Sequence, residues 1–355
     1  MIYINARFLT QKLTGVQRFA EELCLSLKSI RDDIVFLSPH NIIRNDVAEK
    51  LNVKIIGKNK GHLWEQYDLP NYMKKNGSPL LINLCSTAPI NYRNKIVTHH
   101  DVTYKKYPQS YSWKFRIFYN LCIPLMIRNT HHTITVSEFS KRELLRFYKI
   151  RERNISVIYN AVNAKFSPSE SVTNDNNNNN KYILAVSSNN YHKNFHVLIS
   201  AFKSINDPQL TLLVVGENNK NFSKQNYDSV TLDKRVKFLG RVSDDELIKL
   251  YRNARFFVFP SLYEGFGIPP LEAQSCGCPV IASNSASMPE VLRNSVIYFP
   301  PNRVDLLQER MLQFLSDDNL RKEKILAGYE NTKRFSWYKS AKKLNEVIQE
   351  VLNSD

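Results

Sequence analysis

Cysteine is scarce in this chain. There are five in 355 residues, Cys24, Cys85, Cys122, Cys276 and Cys278, with no C-x-x-C pair and no histidine at metal-ligand spacing beside them. That excludes a disulfide framework and a zinc-type cluster, and it fits a reducing compartment. Long apolar runs are missing too. The nearest candidate, residues 117–127, contains Asn120 and Pro124 and is flanked by Arg116 and Arg128. It falls short of the roughly 18–20 apolar residues that span a bilayer. Arg7 interrupts the N-terminus before the apolar core of a signal peptide develops, so the chain is expected in the cytoplasm. Two phosphate-binding signatures are absent as well. Without G-x-x-x-x-G-K-[ST] the chain is no P-loop kinase, and without G-x-G-x-x-G after the first strand it is no nicotinamide enzyme of the usual kind. No repeat of fixed period is present.

What is there is globular: hydrophobic residues make up 43% and charged residues 23%, which excludes wholesale disorder. The length allows about two domains. Lys+Arg number 49 against 33 Asp+Glu, a net charge of +16. The excess is lopsided: residues 1–173 hold 26 basic and 13 acidic side chains, residues 174–355 hold 23 and 20. A basic half suits nucleic acid, an anionic membrane surface or a phosphorylated substrate, and composition alone does not choose.

Both halves read as short buried strands alternating with helices. Strands are expected at 1–5, 80–84, 95–100, 133–136 and 156–159, then at 182–186, 211–215, 236–239, 256–259 and 280–282. Helices are expected around Phe19, Leu23 and Leu27, at 195–205, 244–253 (capped by Asp244) and 270–275, and from Trp337 onward. Such alternation implies parallel, doubly wound sheets in an α/β fold. Asp175 and the asparagine run 176–180 have no apolar face and favour turns, which marks a linker. The expected organisation is a first domain over 1–166, a linker over 167–181, a second domain over 182–336, and a terminal helix over 337–355 that packs back on the first domain.

The chemistry concentrates in Pro260-Ser-Leu-Tyr-Glu264-Gly265-Phe266-Gly267-Ile268-Pro269-Pro270-Leu271-Glu272. A buried strand runs into a glycine-containing loop, and the prolines suit the first turn of a helix. Gly265, Phe266, Gly267 and Ile268 are thereby placed ahead of a helix N-terminus, where free N–H groups and the dipole favour a phosphate. Gly267 permits close approach of the backbone. Glu264 and Glu272 flank that position as acceptors for sugar hydroxyls.

This segment resembles the Glu-x7-Glu motif of retaining GT-B glycosyltransferases, family four in particular, and the following Cys276-Gly-Cys-Pro-Val-Ile-Ala-Ser matches that family's next turn and strand. The resemblance implies two Rossmann-like doubly wound domains facing each other across a cleft. It implies that Glu264 meets the donor sugar and that Glu272 holds the ribose. Tyr182-Ile-Leu-Ala-Val-Ser-Ser-Asn-Asn-Tyr-His-Lys193-Asn194 is similar to the strand and loop opening the donor domain, with Lys193 on the diphosphate; Ser187 and Ser188 stand where many members carry Gly-Arg. Phe238-Leu-Gly240-Arg241-Val242 is similar to the segment whose backbone, near Val242, reads the nucleobase. Thr14-Gly15-Val16-Gln17-Arg18 resembles the loop over the donor phosphates, with Gly15 giving backbone access and Arg18 reaching phosphate or acceptor. His100-Asp101 matches the family's His-Asp step: His100 points toward the donor sugar, and Asp101 orients it or meets the acceptor, while His99 faces the other way. Ser137-Glu138 and Tyr159-Asn160 fit further landmarks, Glu138 standing between a helix-start carboxylate and a site residue, Asn160 as a structural residue.

The resemblance implies transfer of a hexose-type sugar, mannose or similar, from a nucleoside diphosphate sugar to a saccharide acceptor, lipid-linked, in bacterial O-antigen or capsule assembly. No cofactor or metal is expected, since no Asp-x-Asp signature is present and cations and a helix dipole can meet the diphosphate charge. Tyr104, Tyr107, Tyr111, Trp113, Phe115 and Phe118 lie among Lys105, Lys106, Lys114 and Arg116, which reads as a patch facing an anionic inner membrane surface. The alternatives are a catalytically silent relative and a basic protein that binds an anionic polymer or nucleic acid.

Overall fold

A computed structural model describes residues 1–168, 182–186, 190–216 and 233–353. The greater part of the asparagine-rich linker, 169–181, and the pair Ser187 and Ser188 lie outside the described residues. The chain falls into two compact units. The first comprises Met1–Val102, Ser112–Asn160 and Phe335–Asp355, the second Thr103–Tyr111 and Ala161–Arg334. The division thus differs from a simple cut in the linker, because residues 103–111 go to the second unit.

The first unit is built on strands β1 (Ile2–Asn5), β2 (Ile34–Ser38), β3 (Lys54–Ile55), β4 (Leu81–Asn83), β5 (Lys95–Thr98), β6 (His132–Thr135) and β7 (Ile155–Val157). Their order is β3-β2-β1-β4-β5-β6-β7, and every pairing is parallel. Tyr3 stands opposite both Val35 and Leu81. The apolar runs that sequence alone reads as strands are buried on both faces, as a parallel sheet covered by helices requires. β2 and β3 were not expected. β2 carries a clear signal in Ile34-Val-Phe-Leu, whereas β3 is two exposed residues held only by its neighbour.

The helix Gly15–Lys28 buries Phe19, Leu23 and Leu27, one stripe at four-residue spacing. The helix Trp337–Leu352 packs on it with Trp337, Ala341, Leu344, Val347, Ile348 and Val351 buried. At about 1.5–3 kcal/mol per large buried side chain, this seam outweighs intrinsic helix propensity. Polar contacts fix its register: Arg31 Nη1 donates to Asn345 Oδ1 at 2.7 Å, and Ser340 Oγ donates to the Tyr159 carbonyl at 2.6 Å.

The second unit holds β8 (Tyr182–Val186), β9 (Thr211–Val215), β10 (Val236–Gly240), β11 (Phe256–Phe259), β12 (Val280–Ser283) and β13 (Ile297–Phe299), ordered β10-β9-β8-β11-β12-β13 and again all parallel. That is the Rossmann order, with its reversal between β8 and β11. The first sheet has the same order with one strand added, and reverses between β1 and β4. The expected fold class, two Rossmann-like doubly wound α/β domains, is the one found. In open sheets of this kind ligands bind beyond the carboxyl ends of the strands at the reversal.

Candidate active site

In the second unit the two strands at the reversal deliver the two side chains singled out for the donor. The chain leaving β8 passes through a short 3-10 turn, Tyr191–Lys193, and Asn194 then takes a left-handed conformation with φ 60°. Asn194 Nδ2 donates to the carbonyls of Pro260 and Pro301, which ties this loop to the loop after β11. The result is an ion pair, Lys193 Nζ to Glu264 Oε1 at 2.7 Å, between residues 71 positions apart in the chain. Ser287 Oγ donates to the carbonyls of Glu264 and Phe266, at 3.0 and 3.1 Å, holding the Glu264 loop from below.

The helix after this loop begins at Ile268 rather than at Pro270, and spans Ile268–Ser275. Gly267 is its N-cap, with φ 87°. The left-handed backbone demands glycine, and an added Cβ would also run into the end of the Met288 side chain. The earlier start changes the phosphate argument. Pro269 and Pro270 occupy the second and third helical positions and bring no N–H, so the free donors at this helix start are those of Gly267 and Ile268, the Leu271 N–H being the first that the helix itself takes up. Gly265 and Phe266 precede the helix as expected, and Ile268 belongs to it.

Glu272 lies just beyond the first turn of that helix and is buried, with Tyr251 Oη donating to its Oε2 at 3.4 Å. Tyr251 comes from the helix Asp244–Asn253, which follows Val242. Its phenol is pushed well up by burial and then by the Glu272 charge, so it stays a donor. The helix Asp244–Asn253 and the Glu272 carboxylate are therefore joined through one side chain. The cap of the Tyr251 helix is Ser243 and not Asp244. Ser243 Oγ accepts from Glu246 N, and the Glu246 carboxylate accepts from Ser243 N, a complete capping box.

Sequence reasoning missed the aromatic surround. Tyr107 packs against Tyr191 and Tyr263, and Tyr111 stacks with His192 at 6.4 Å, 8° from parallel. Ser110 lies 2.9 Å from His192 Nδ1. Burial, then the Lys193 charge, pushes His192 down to about 4, so the ring is neutral at ordinary pH. The only sequence signal was the tyrosine-rich stretch 104–111, which was read as part of a surface patch. Tyr104 is buried and Tyr107 partly so, so these tyrosines offer no open stacking platform for nucleic acid.

In the first unit His100 lies two residues past β5, and its Nε2 stands 3.1 Å from the Leu84 carbonyl, to which it donates. Burial holds its pKa below the usual value against that bond and the Asp101 charge. His100 meets Phe19 edge-on, while His99 meets Tyr148, so the two rings point to opposite sides. Gly15 is the first residue of its helix and Arg18 sits on the first turn, where its charge acts on Glu21. Glu138 opens the helix Glu138–Phe147 behind a Ser137 cap, and Asn160 is buried. At the reversal of the first sheet, a pocket of about 480 Å³ is lined by Arg7, Thr14, Gln17, Ser86, Thr87 and Tyr119 among others. Thr14 and Gln17 belong to the loop that the sequence resemblance assigned to the donor phosphates; Arg7, Ser86, Thr87 and Tyr119 carry no such signal in the sequence.

The helix Trp113–Arg128 exposes Trp113, Ile117, Leu121 and Leu125, between 46% and 65% accessible. At 100° per residue these four span about 120° of one face. This stripe, not the tyrosines, is the apolar surface of the region. Among the described residues no helix is long and apolar enough to cross a membrane.

Comparison with known proteins agrees with this architecture. Residues 13–166 match the model of Glycosyltransferase Family 4, and residues 167–331 match that of Glycosyl transferases group 1. The chain is 31% identical over 269 residues to O-antigen chain mannosyltransferase B of Escherichia coli, covering 70% of this chain and 68% of that one. It is 29% identical over 318 residues to O-antigen chain mannosyltransferase RfbU of Salmonella typhimurium, covering 84% and 86%. Among solved structures, Anabaena Alr3699/HepE in complex with UDP and glucose superposes with a TM-score of 0.74 at 19% identity, over 98% of this chain and 99% of that one. With each family model on its own Rossmann-like half, and a relative above 30% identity matched over two thirds of its length, the chain belongs to the glycosyltransferases of family 4, group 1.

Proposed function

We propose that this glycosyltransferase moves a hexose, mannose or a close relative, from a nucleoside diphosphate sugar to a lipid-linked saccharide in bacterial O-antigen or capsule assembly, with retention of configuration. The observation that carries the reading is the Lys193–Glu264 pair at the β8–β11 reversal, with Glu272 buried one helical turn further on. In this reading the donor diphosphate draws Lys193 away from Glu264, and the freed carboxylate accepts from hydroxyls of the sugar. Lys193 and the N–H groups of Gly267 and Ile268 meet the charge that grows as the sugar–oxygen bond to the diphosphate breaks. The acceptor hydroxyl oxygen bonds to the anomeric carbon of the sugar, and its proton passes to the departing diphosphate. No metal is assigned a part. Glu272 takes the ribose, and the backbone near Val242 the base. Arg18 and Gly15 are assigned to phosphate or acceptor, and His100 and Asp101 keep the roles the resemblance implies. Support for the mannosyl donor and the O-antigen setting comes from what the two enterobacterial relatives are named for. HepE, solved with UDP and glucose, supports a nucleotide sugar as partner.

The setting we propose is the cytoplasm, with the chain resting on the inner membrane face. The apolar stripe from Trp113 to Leu125, with Lys114, Arg116 and Arg128 on the same helix, supports contact with anionic lipid. A thermal-shift screen against nucleoside diphosphates and their hexose sugars tests the donor. The matching donor raises the melting point by mass action, and transfer to a lipid-linked saccharide then continues in excess EDTA. No shift with any diphosphate sugar would refute the donor reading, and a metal-restorable loss would refute the metal-free one.

A further inference from the structure

The pocket at the reversal of the first sheet contains a device that catalysis at Glu264 does not use. Trp64–Asp68 forms a π-helical turn, closed by the Leu69 N–H donating to the Trp64 carbonyl five residues back. Turns of this kind cluster at functional sites. It carries Glu65, 1% exposed, into the interior. Glu65 Oε1 accepts from Arg7 Nε at 3.1 Å and from Asn5 Nδ2 at 3.0 Å, and Oε2 lies 3.3 Å from His62 Nδ1. Arg7 Nη2 donates to Thr87 Oγ1 at 2.8 Å. Burial alone would raise Glu65, but Arg7, His62 and Thr87 together hold its carboxyl below the usual range. Among the described residues Arg7 Nη1 has no hydrogen-bond partner, and Arg7, itself only 6% exposed, lines the pocket.

A buried ion pair contributes little to stability compared with apolar residues of the same volume. Its value here lies in what it presents. The fork of Arg7 is locked on two sides and offers its third to a cavity of about 480 Å³, within the size range of small-molecule sites. The walls beside it are mostly amides and hydroxyls, Gln11, Thr14, Gln17, Ser86 and Tyr119, which both donate and accept, as sugar hydroxyls do. Tyr119 is stacked on Phe115 at 3.9 Å, and burial pushes its phenol up to about 12, so it keeps its proton. Glu65 matches the charge of Arg7, and Lys12, the other cation of the lining, is exposed and screened by solvent, so the buried end of the site favours an uncharged group over an anion.

We propose that Arg7, positioned by Glu65 and Thr87, is a specificity-determining residue that reads a hydroxyl of an uncharged sugar ring of the acceptor, seated in this pocket. The inference rests on the reading of the acceptor as a saccharide. The test uses the full chain and saturation-transfer NMR with methyl α-D-mannopyranoside, with inorganic phosphate as the anionic probe and the nucleoside diphosphate thermal shift as the donor-side control. Wild type is expected to bind the glycoside, and phosphate is expected not to displace it. Arg7→Lys, which keeps a charge but loses the fork, and Ser86→Trp, which fills the cavity and leaves the ion pair in place, are each expected to lose glycoside binding by about tenfold or more. Glu65→Gln is expected to let phosphate displace the glycoside, because the guanidinium is then uncompensated; a purely structural Glu65 would not do that. No glycoside signal in wild type, or a signal surviving both Arg7→Lys and Ser86→Trp, overturns the proposal, and so does displacement of the glycoside by phosphate in wild type. If the nucleotide shift is absent while the glycoside still binds, the donor reading fails and this one stands.

Discussion

Replacing Gly267 by alanine tests how the fold holds the donor loop. The residue has φ 87°, and an added Cβ would run into the terminal methyl of Met288 and stand 3.1 Å from its sulfur. The left-handed backbone costs a non-glycine residue about 1–2 kcal/mol. Overpacking a tight site costs about 1–3 kcal/mol more. Met288 is fully buried at the start of the helix Met288–Leu292, directly after Ser287, whose hydroxyl holds the carbonyls of Glu264 and Phe266. It therefore cannot move outward freely, and the two terms together give about 2–5 kcal/mol. For a unit of this size that corresponds to a fall in melting temperature of about 4–20 °C. Differential scanning calorimetry of wild type, Gly267→Ala, Met288→Val and the double variant measures it. Shortening Met288 removes the clash but not the backbone strain, so the double variant should be more stable than the sum of the singles predicts, by about 1–3 kcal/mol. A melting point unchanged by Gly267→Ala, or strict additivity in the cycle, would refute the reasoning.

Three other outcomes are expected. Glu264→Gln should keep the fold and lose most transfer activity, since the amide no longer offers the donor sugar's hydroxyls an anionic acceptor; wild-type turnover in a transfer assay would sink the role given to Glu264. Leu121→Asp should reduce flotation with anionic vesicles without altering nucleotide-induced stabilisation, and unchanged flotation would count against the exposed stripe as the lipid contact. His192 sits at about 4 in the folded chain, below its ordinary 6.5, so the unfolded chain binds the extra proton between those values. Its contribution of about 3–4 kcal/mol is complete above pH 6.5 and is lost as pH falls toward 4, and His192→Gln should flatten that part of a stability–pH curve.

Much of the fold was legible because its signals are local. Buried parallel strands read as short apolar runs, and helices such as Gly15–Lys28 show their stripe in three side chains. β2 and β13 carry the same apolar signal and went unread, while β3 carries none. The helix after Glu264 starts earlier than its prolines suggested, because glycine at 267 supplies the turn and proline tolerates any first-turn position.

The sequence by itself determined the α/β alternation and the Glu264–Glu272 spacing on a loop and its helix, since strand period, turn chemistry and helical rise act over a few residues. Only the tertiary structure decided which distant groups meet. Lys193 finds Glu264 across 71 positions because β8 and β11 are neighbours at the sheet reversal. Arg7 finds Glu65 across 58 positions because a π-turn carries a carboxylate under β1. Residues 103–111 belong to the second unit because their aromatic rings pack around His192 and Tyr263. Each of these depends on burial and ion pairing between segments far apart in the chain, and no local pattern encodes which of two compatible partners will be near enough to pair.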